Sequence, residues 1–152
     1  MTKSDFYRQL ALQIEAIISD ETDIIANMAN VSAVLFEALE HVNWAGFYRM
    51  VDNELVLGPF QGKVACIRIP VGKGVCGTAA ALNETQLVAD VHQFKGHIAC
   101  DAASNAEIVI PVCHGGSVIA VLDIDSVKYD RFDGEDQKGL EAIVKLLEKA
   151  CF

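Results

Sequence analysis

Apolar residues recur every three or four positions through the first forty residues. Phe6, Leu10, Ile14 and Ile17 form one stripe, with Ser4 as a candidate N-cap. Ile24, Met28, Val31, Leu35, Leu39 and Val42 form a longer stripe that starts near Thr22 or Asp23. This period places side chains on one face of an α-helix, so two amphipathic helices are expected, each needing a broad apolar partner. From Trp44 the period shortens. Trp44 to Met50 and Glu54 to Leu57 are short strand-like runs separated by Val51-Asp52-Asn53, a hairpin turn signal, and Val64 to Ile69 suits a third strand.

Glycine then punctuates the chain. Val71-Gly72-Lys73-Gly74-Val75-Cys76-Gly77 suits a tight loop entering a short Ala-rich helix from Thr78 to Leu82, and Gln86 to Ala89 suits a brief strand. Asp90 to Ala106 has no sustained period and holds His92, His97, Cys100 and Asp101, which marks a long functional loop. Glu107 to Val112 and Ser117 to Ile124 flank His114-Gly115-Gly116, a connection so tight that the strands must pair antiparallel. A last helix is expected from Asp133, with Leu140, Ile143, Val144 and Leu147 on one face and acidic Asp133 and Asp136 at its positive N-terminal end. Helices at both ends and hairpin-linked strands between them predict an α+β fold on a central antiparallel sheet, as a single domain over residues 1–152.

Composition narrows the function classes. A chain of 152 residues with 52% hydrophobic and 22% charged residues can bury one ordinary core. The formal charge of −9 and the lack of a basic stretch argue against nucleic acid, whose affinity comes largely from Lys and Arg displacing counterions. Ile108 to Leu122 is the longest uncharged apolar stretch, and Pro111 and His114-Gly115-Gly116 break it, so no membrane span is expected. Lys3, Asp5 and Arg8 interrupt any signal-peptide core. Five cysteines, an odd number in a chain that needs no staples, fit a reducing compartment, and a cytoplasmic location is expected.

The cysteines are then of chemical interest. Cys66 falls near a strand end, Cys76 in the glycine loop, and Cys100 in the polar run His97-Ile98-Ala99-Cys100-Asp101, where an imidazole could tune a thiolate. The bland alternative is that each is a small buried hydrophobe, and that reading is taken for Cys113 and Cys151. Zinc is the competing chemistry, but without a Cys-x-x-Cys pair no metal is expected, and only His97 and Cys100 hint at one. Glu107 begins one strand of the hairpin, and Asp123 and Asp125 share parity at the end of the next. They are either solvated strand-end charges, or a cluster that holds a ligand ammonium or shares a proton at raised pKa. Trp44 and Tyr48 share a face, as core or as the wall of an apolar subsite.

Five segments together resemble the free methionine-(R)-sulfoxide reductase family: Asn43-Trp44-Ala45-Gly46-Phe47-Tyr48, Leu57 to Lys63, Ile69 to Gly77, Gly96 to Asn105 with Cys100 at its centre, and Val121-Leu122-Asp123-Ile124-Asp125-Ser126. The likeness runs from about Asn43 to Asp136. It implies a GAF fold with a six-stranded antiparallel sheet, and a homodimer. It further implies Cys100 as nucleophile, Cys66 as resolving thiol and Cys76 as a third redox-active cysteine. Glu107, Asp123 and Asp125 would line the polar end of the pocket, Trp44 would receive the substrate methyl and Tyr48 would flank it. The implied reaction reduces free methionine-(R)-sulfoxide without metal or organic cofactor, with thioredoxin as the recycling dithiol. The alternative is a GAF domain that senses a small molecule without transforming it; such proteins usually carry an output domain, and this chain ends at Phe152.

Overall fold

The computed structural model describes residues 1–98 and 100–152; Ala99, within the expected loop, lies outside the described residues. The elements are α1 (Lys3–Ile18), α2 (Ile24–Ala38), β1 (Val42–Val51), β2 (Glu54–Gly62), β3 (Arg68–Pro70), α3 (Gly74–Leu82), β4 (Gln86–Val88), β5 (Ala106–His114), β6 (Ser117–Ser126) and α4 (Gly134–Cys151). The six strands form one sheet in the order β3-β2-β1-β6-β5-β4, and every neighbouring pair is antiparallel. The expected α+β class and six-stranded sheet are therefore present.

Local chemistry sets the element ends. Thr2, rather than Ser4, caps α1, its hydroxyl accepting from the Asp5 amide at 3.1 Å. The buried stripe of α1 is Tyr7, Leu10, Ile14 and Ile18, so Ile17 is left 42% exposed, because the 7-10-14-18 row is the one that meets α4 and the sheet. Asp23 caps α2, which ends at Ala38; Val42 already belongs to β1. Asp52 and Asn53 both have positive φ, as a two-residue hairpin turn requires, and Gly115-Gly116 repeats the device between β5 and β6. Asp133 and Asp136 make a reciprocal capping box at the start of α4.

Two further expectations need correction. The third strand covers only 68–70, because the backbone before it turns away from the ladder. The carbonyls of Lys63 and Cys66 accept instead from the Trp44 indole (3.1 Å) and the Tyr48 hydroxyl (3.0 Å), and Val64 is 89% exposed. The short helix starts at Gly74, not Thr78, which moves Cys76 from the loop into the first turn of α3.

The sheet separates two cores. Ala45, Phe47, Ile108, Ile110, Val112, Ala120, Leu122 and Ile124 face α1, α2 and α4 and are fully buried with Leu35, Leu140 and Ile143. Trp44, Tyr48, Val109 and Val121 point the other way, into a smaller cluster under α3 with Leu55, Ile69, Val75 and Cys76. Each side chain of that size withdrawn from water stabilises the fold by roughly 1.5–3 kcal/mol, so the helix-covered core carries most of the stability.

Candidate functional site

The period-two alternation of β5 and β6 turns Glu107, Asp123 and Asp125 toward the α3 side while their neighbours fill the large core. Glu107 pairs across the ladder with Asp125, and Asp123 lies one pleat further along between Gly46 and Val109. Glu107 is 7% exposed and Asp123 is 5% exposed, so these are not solvated strand-end charges. They line one pocket together with Trp44, Tyr48, Cys76, His97 and Cys100. The free volume inside is about 40 Å³, room for very few waters.

Seven of the eight residues expected to form the site line this pocket, and the eighth, Cys66, reaches it through Cys100. Cys66 and Cys100 are joined by a disulfide with Cα atoms 5.4 Å apart, which pins the long loop to the segment before β3. Cys76 is a free, buried thiol whose sulfur lies 4.0 Å from Glu107 Oε2. Trp44 stacks between Tyr48 and Phe60, with ring centroids 5.9 and 5.1 Å away, so it is both core and pocket wall. Cys113 and Cys151 sit elsewhere and are half-buried. Cys151 packs on the large core as expected, whereas the Cys113 thiol donates to Asn83 Oδ1 at 3.2 Å.

Burial, then mutual repulsion, governs the electrostatics. Loss of water pushes the carboxyls of Glu107 and Asp125 well above the usual range, and the Asp123 charge pushes both further. Asp123 itself is raised by burial but held back by hydrogen bonds to Glu107, Cys76 and Asp125. Burial and the Asp123 and Glu107 charges likewise push the Cys76 thiol up, and burial with Asp123 pushes the Tyr48 phenol up. Among the described residues lining the pocket none is Lys or Arg, and burial lowers the pKa of His97. Such a site holds protons tightly and favours any cation that enters. Cys76 Sγ and one oxygen each of Glu107 and Asp123 lie within 4.8 Å of one another, a donor set that a metal ion could also use.

The loop is tethered by residues for which no role was expected. Asn43 Nδ2 donates to Asp101 Oδ2 (3.0 Å) and to Ser104 Oγ (3.1 Å), fastening the Cys100 loop to the start of β1. Ile98 packs against Gly74, whose positive φ and missing Cβ allow that approach. Both Asn43 and Ser104 fall inside segments that carried the family likeness, which was the available signal.

The GAF-domain family model matches residues 26–150. The free methionine-R-sulfoxide reductase of Escherichia coli strain K12 is 56% identical over 149 residues, covering 98% of this chain and 90% of that protein. The chain belongs to the GAF-domain family of free methionine-R-sulfoxide reductases. The solved fRMsr of Staphylococcus aureus in complex with substrate superposes with a TM-score of 0.93 at 54% identity, covering 96% of this chain and 95% of that one. The Neisseria meningitidis free methionine-R-sulfoxide reductase in complex with its substrate gives 0.94 at 47% identity, covering 99% and 91%. No helix among the described residues is long and apolar enough to cross a membrane.

Proposed function

We propose that this protein reduces free L-methionine-(R)-sulfoxide to methionine by thiol chemistry in the pocket under α3. One observation carries the reading: a Cys66–Cys100 disulfide stands at the same pocket as Glu107, Asp123 and Asp125, whose carboxyls burial holds above the usual range. Relatives and solved neighbours named for this reaction support it.

With the disulfide opened, the Cys100 thiolate attacks the sulfoxide sulfur. A protonated carboxyl among Glu107, Asp123 and Asp125 gives its proton to the oxygen, which makes that oxygen transferable. Methionine departs reduced by two electrons, and Cys100, oxidised by two, is left as the sulfenic acid. The Cys66 thiol condenses with it, releasing water and forming the disulfide. An external dithiol then returns both cysteines to thiols by exchange. Cys76, buried and raised in pKa, is a poor nucleophile at neutral pH, which supports an assisting role beside Glu107 over first attack.

Recognition of the free amino acid follows from charge. The carboxyl cluster takes the α-ammonium, which a peptide-bound residue lacks, and Trp44 with Tyr48 encloses the methyl end. The free volume of about 40 Å³ leaves little room while the Cys66–Cys100 bond is closed, and the same reading has that bond reduced before substrate enters. The same reading takes thioredoxin as the physiological dithiol, a homodimer as the assembly and the cytoplasm as the compartment, supported by the family likeness.

The test is stereospecific. Reduced protein with dithiothreitol is incubated separately with the free R and S sulfoxides and with an N-acetylated, C-amidated R analogue, and methionine is quantified. Turnover of the free R form alone is expected. Equal turnover of the blocked analogue would remove the carboxyl cluster from substrate recognition, and no turnover of the R form would overturn the activity.

A further inference from the structure

Three elements far apart in sequence, α3, β5 and β6, bring a thiol and two carboxylates to one point. Cys76 Sγ, a Glu107 oxygen and an Asp123 oxygen lie within 4.8 Å of one another, and the Cys76–Glu107 separation is 4.0 Å. A tetrahedral ion with bonds of about 2.0–2.3 Å needs donors roughly 3.3–3.7 Å apart, a contraction within reach of side-chain rotation. A second observation points to a ligand. Asp123 is 5% exposed and lines the pocket, yet its Oδ1 meets no N–H or hydroxyl donor, and the neighbours that reach this carboxyl are the acids Glu107 and Asp125 and the Cys76 thiol. A buried carboxylate oxygen in that state is stabilised by a cation that reaches it.

We propose that Cys76, Glu107 and Asp123 form a binding site for a borderline-soft divalent cation of the zinc class, which excludes substrate by occupying the place of its ammonium group. The mixed sulfur and oxygen donors select Zn²⁺ or Co²⁺ over Mg²⁺ and Ca²⁺, which prefer all-oxygen shells. Binding exchanges the Cys76 thiol proton for the metal, so one proton is released per ion in addition to any held by the carboxyls. A fourth position is left for water. The exclusion of substrate rests on the proposed substrate site; the metal binding itself does not.

Cobalt provides a readout independent of turnover. In the disulfide form Cys66 and Cys100 cannot ligate, so Co²⁺ titration should give one equivalent of a sulfur-to-cobalt charge-transfer band. Cys76→Ser should abolish that band, and Asp123→Asn should weaken binding at least about tenfold, whereas Cys113→Ser should leave both unchanged. Zn²⁺ should displace the cobalt and Mg²⁺ should not. In the reduced Cys66→Ser, Cys100→Ser double variant, free methionine should displace the cobalt at concentrations at which glycine, an equal chelator of the free ion, does not. A band that survives in Cys76→Ser, or no saturable band, would overturn the metal site. Methionine and cobalt bound together would overturn the exclusion. Failure of the reductase assay leaves the cobalt spectrum unaffected, so the two readings fail separately.

Discussion

Asp136 and Asp123 are both buried acids, on opposite sides of the sheet, and they are treated in opposite ways. Asp136, under α1, accepts from the Tyr7 hydroxyl at 2.6 Å, from Lys3 Nζ at 2.7 Å and from the Asp133 amide at 2.9 Å, with Arg131 at 3.5 Å. Asp123, under α3, faces two further carboxyls and a thiol, and its Oδ1 has no partner. A buried charge whose bonds are complete holds structure together, and one left with its bonds open is available to a ligand. The same division runs along β5 and β6. Ile108, Ile110, Leu122 and Ile124 close the large core, while the alternate residues Glu107, Asp123 and Asp125 furnish the pocket.

Substitutions on the two faces should therefore separate activity from stability. The largest effect is expected in the pocket: Glu107→Gln, Asp123→Asn and Asp125→Asn should each lower kcat/KM by about 100-fold or more, with circular dichroism unchanged. Wild-type kinetics in all three would return them to bystanders. Leu122→Ala, one residue away on the other face, should cost about 2–5 kcal/mol in urea unfolding while kcat per folded molecule stays the same. Asp136→Asn should cost about 1–3 kcal/mol, since it disturbs a satisfied network.

The smallest effect has the opposite sign. Between the ordinary glutamate value of 4.5 and its raised folded value, the unfolded chain gives up the Glu107 proton while the folded chain keeps it. Wild-type stability must fall as pH rises through that window. Glu107→Gln removes the Glu107 part of this dependence, leaving that of Asp125 and Asp123, so its Tm should match wild type near pH 4 and exceed it by about 2–6 °C at pH 8. A Tm below wild type at pH 8 would mean that the carboxylate is satisfied after all.

Much of this division was legible in the sequence. The two apolar stripes gave α1 and α2, the Asp52-Asn53 and Gly115-Gly116 turns gave the hairpins, and strand-end position in the hairpin, with the shared parity of Asp123 and Asp125, put the three acids near one end of the sheet. Less legible were features decided by contacts distant along the chain. Val64 to Ile69 has strand composition, yet the Trp44 indole takes the Lys63 carbonyl just before it and the Tyr48 hydroxyl takes the Cys66 carbonyl within it. Thr78 suits the start of α3 because Gly74 and Gly77 weaken any helical signal, although the close packing of Gly77 against Pro70 and the positive φ of Gly74 beside Ile98 require them. Burial of the acids was undecidable locally, because it depends on the loop that Asn43 and the Cys66–Cys100 bond hold in place. The Cys76, Glu107 and Asp123 donor set is equally invisible to spacing rules, since its members are 31 and 16 residues apart.

The central claim, that Cys100 reacts first and Cys66 resolves, is tested most directly by counting product in a single turnover. Fully reduced Cys100→Ser and Cys66→Ser are each mixed with excess free R sulfoxide without added reductant, methionine is quantified per subunit, and sulfenic acid is trapped for mass spectrometry. The account expects no methionine from Cys100→Ser, and about one per subunit from Cys66→Ser with the trapped mass on Cys100. A full first turnover in Cys100→Ser, together with its loss in Cys76→Ser, would contradict it and make Cys76 the nucleophile.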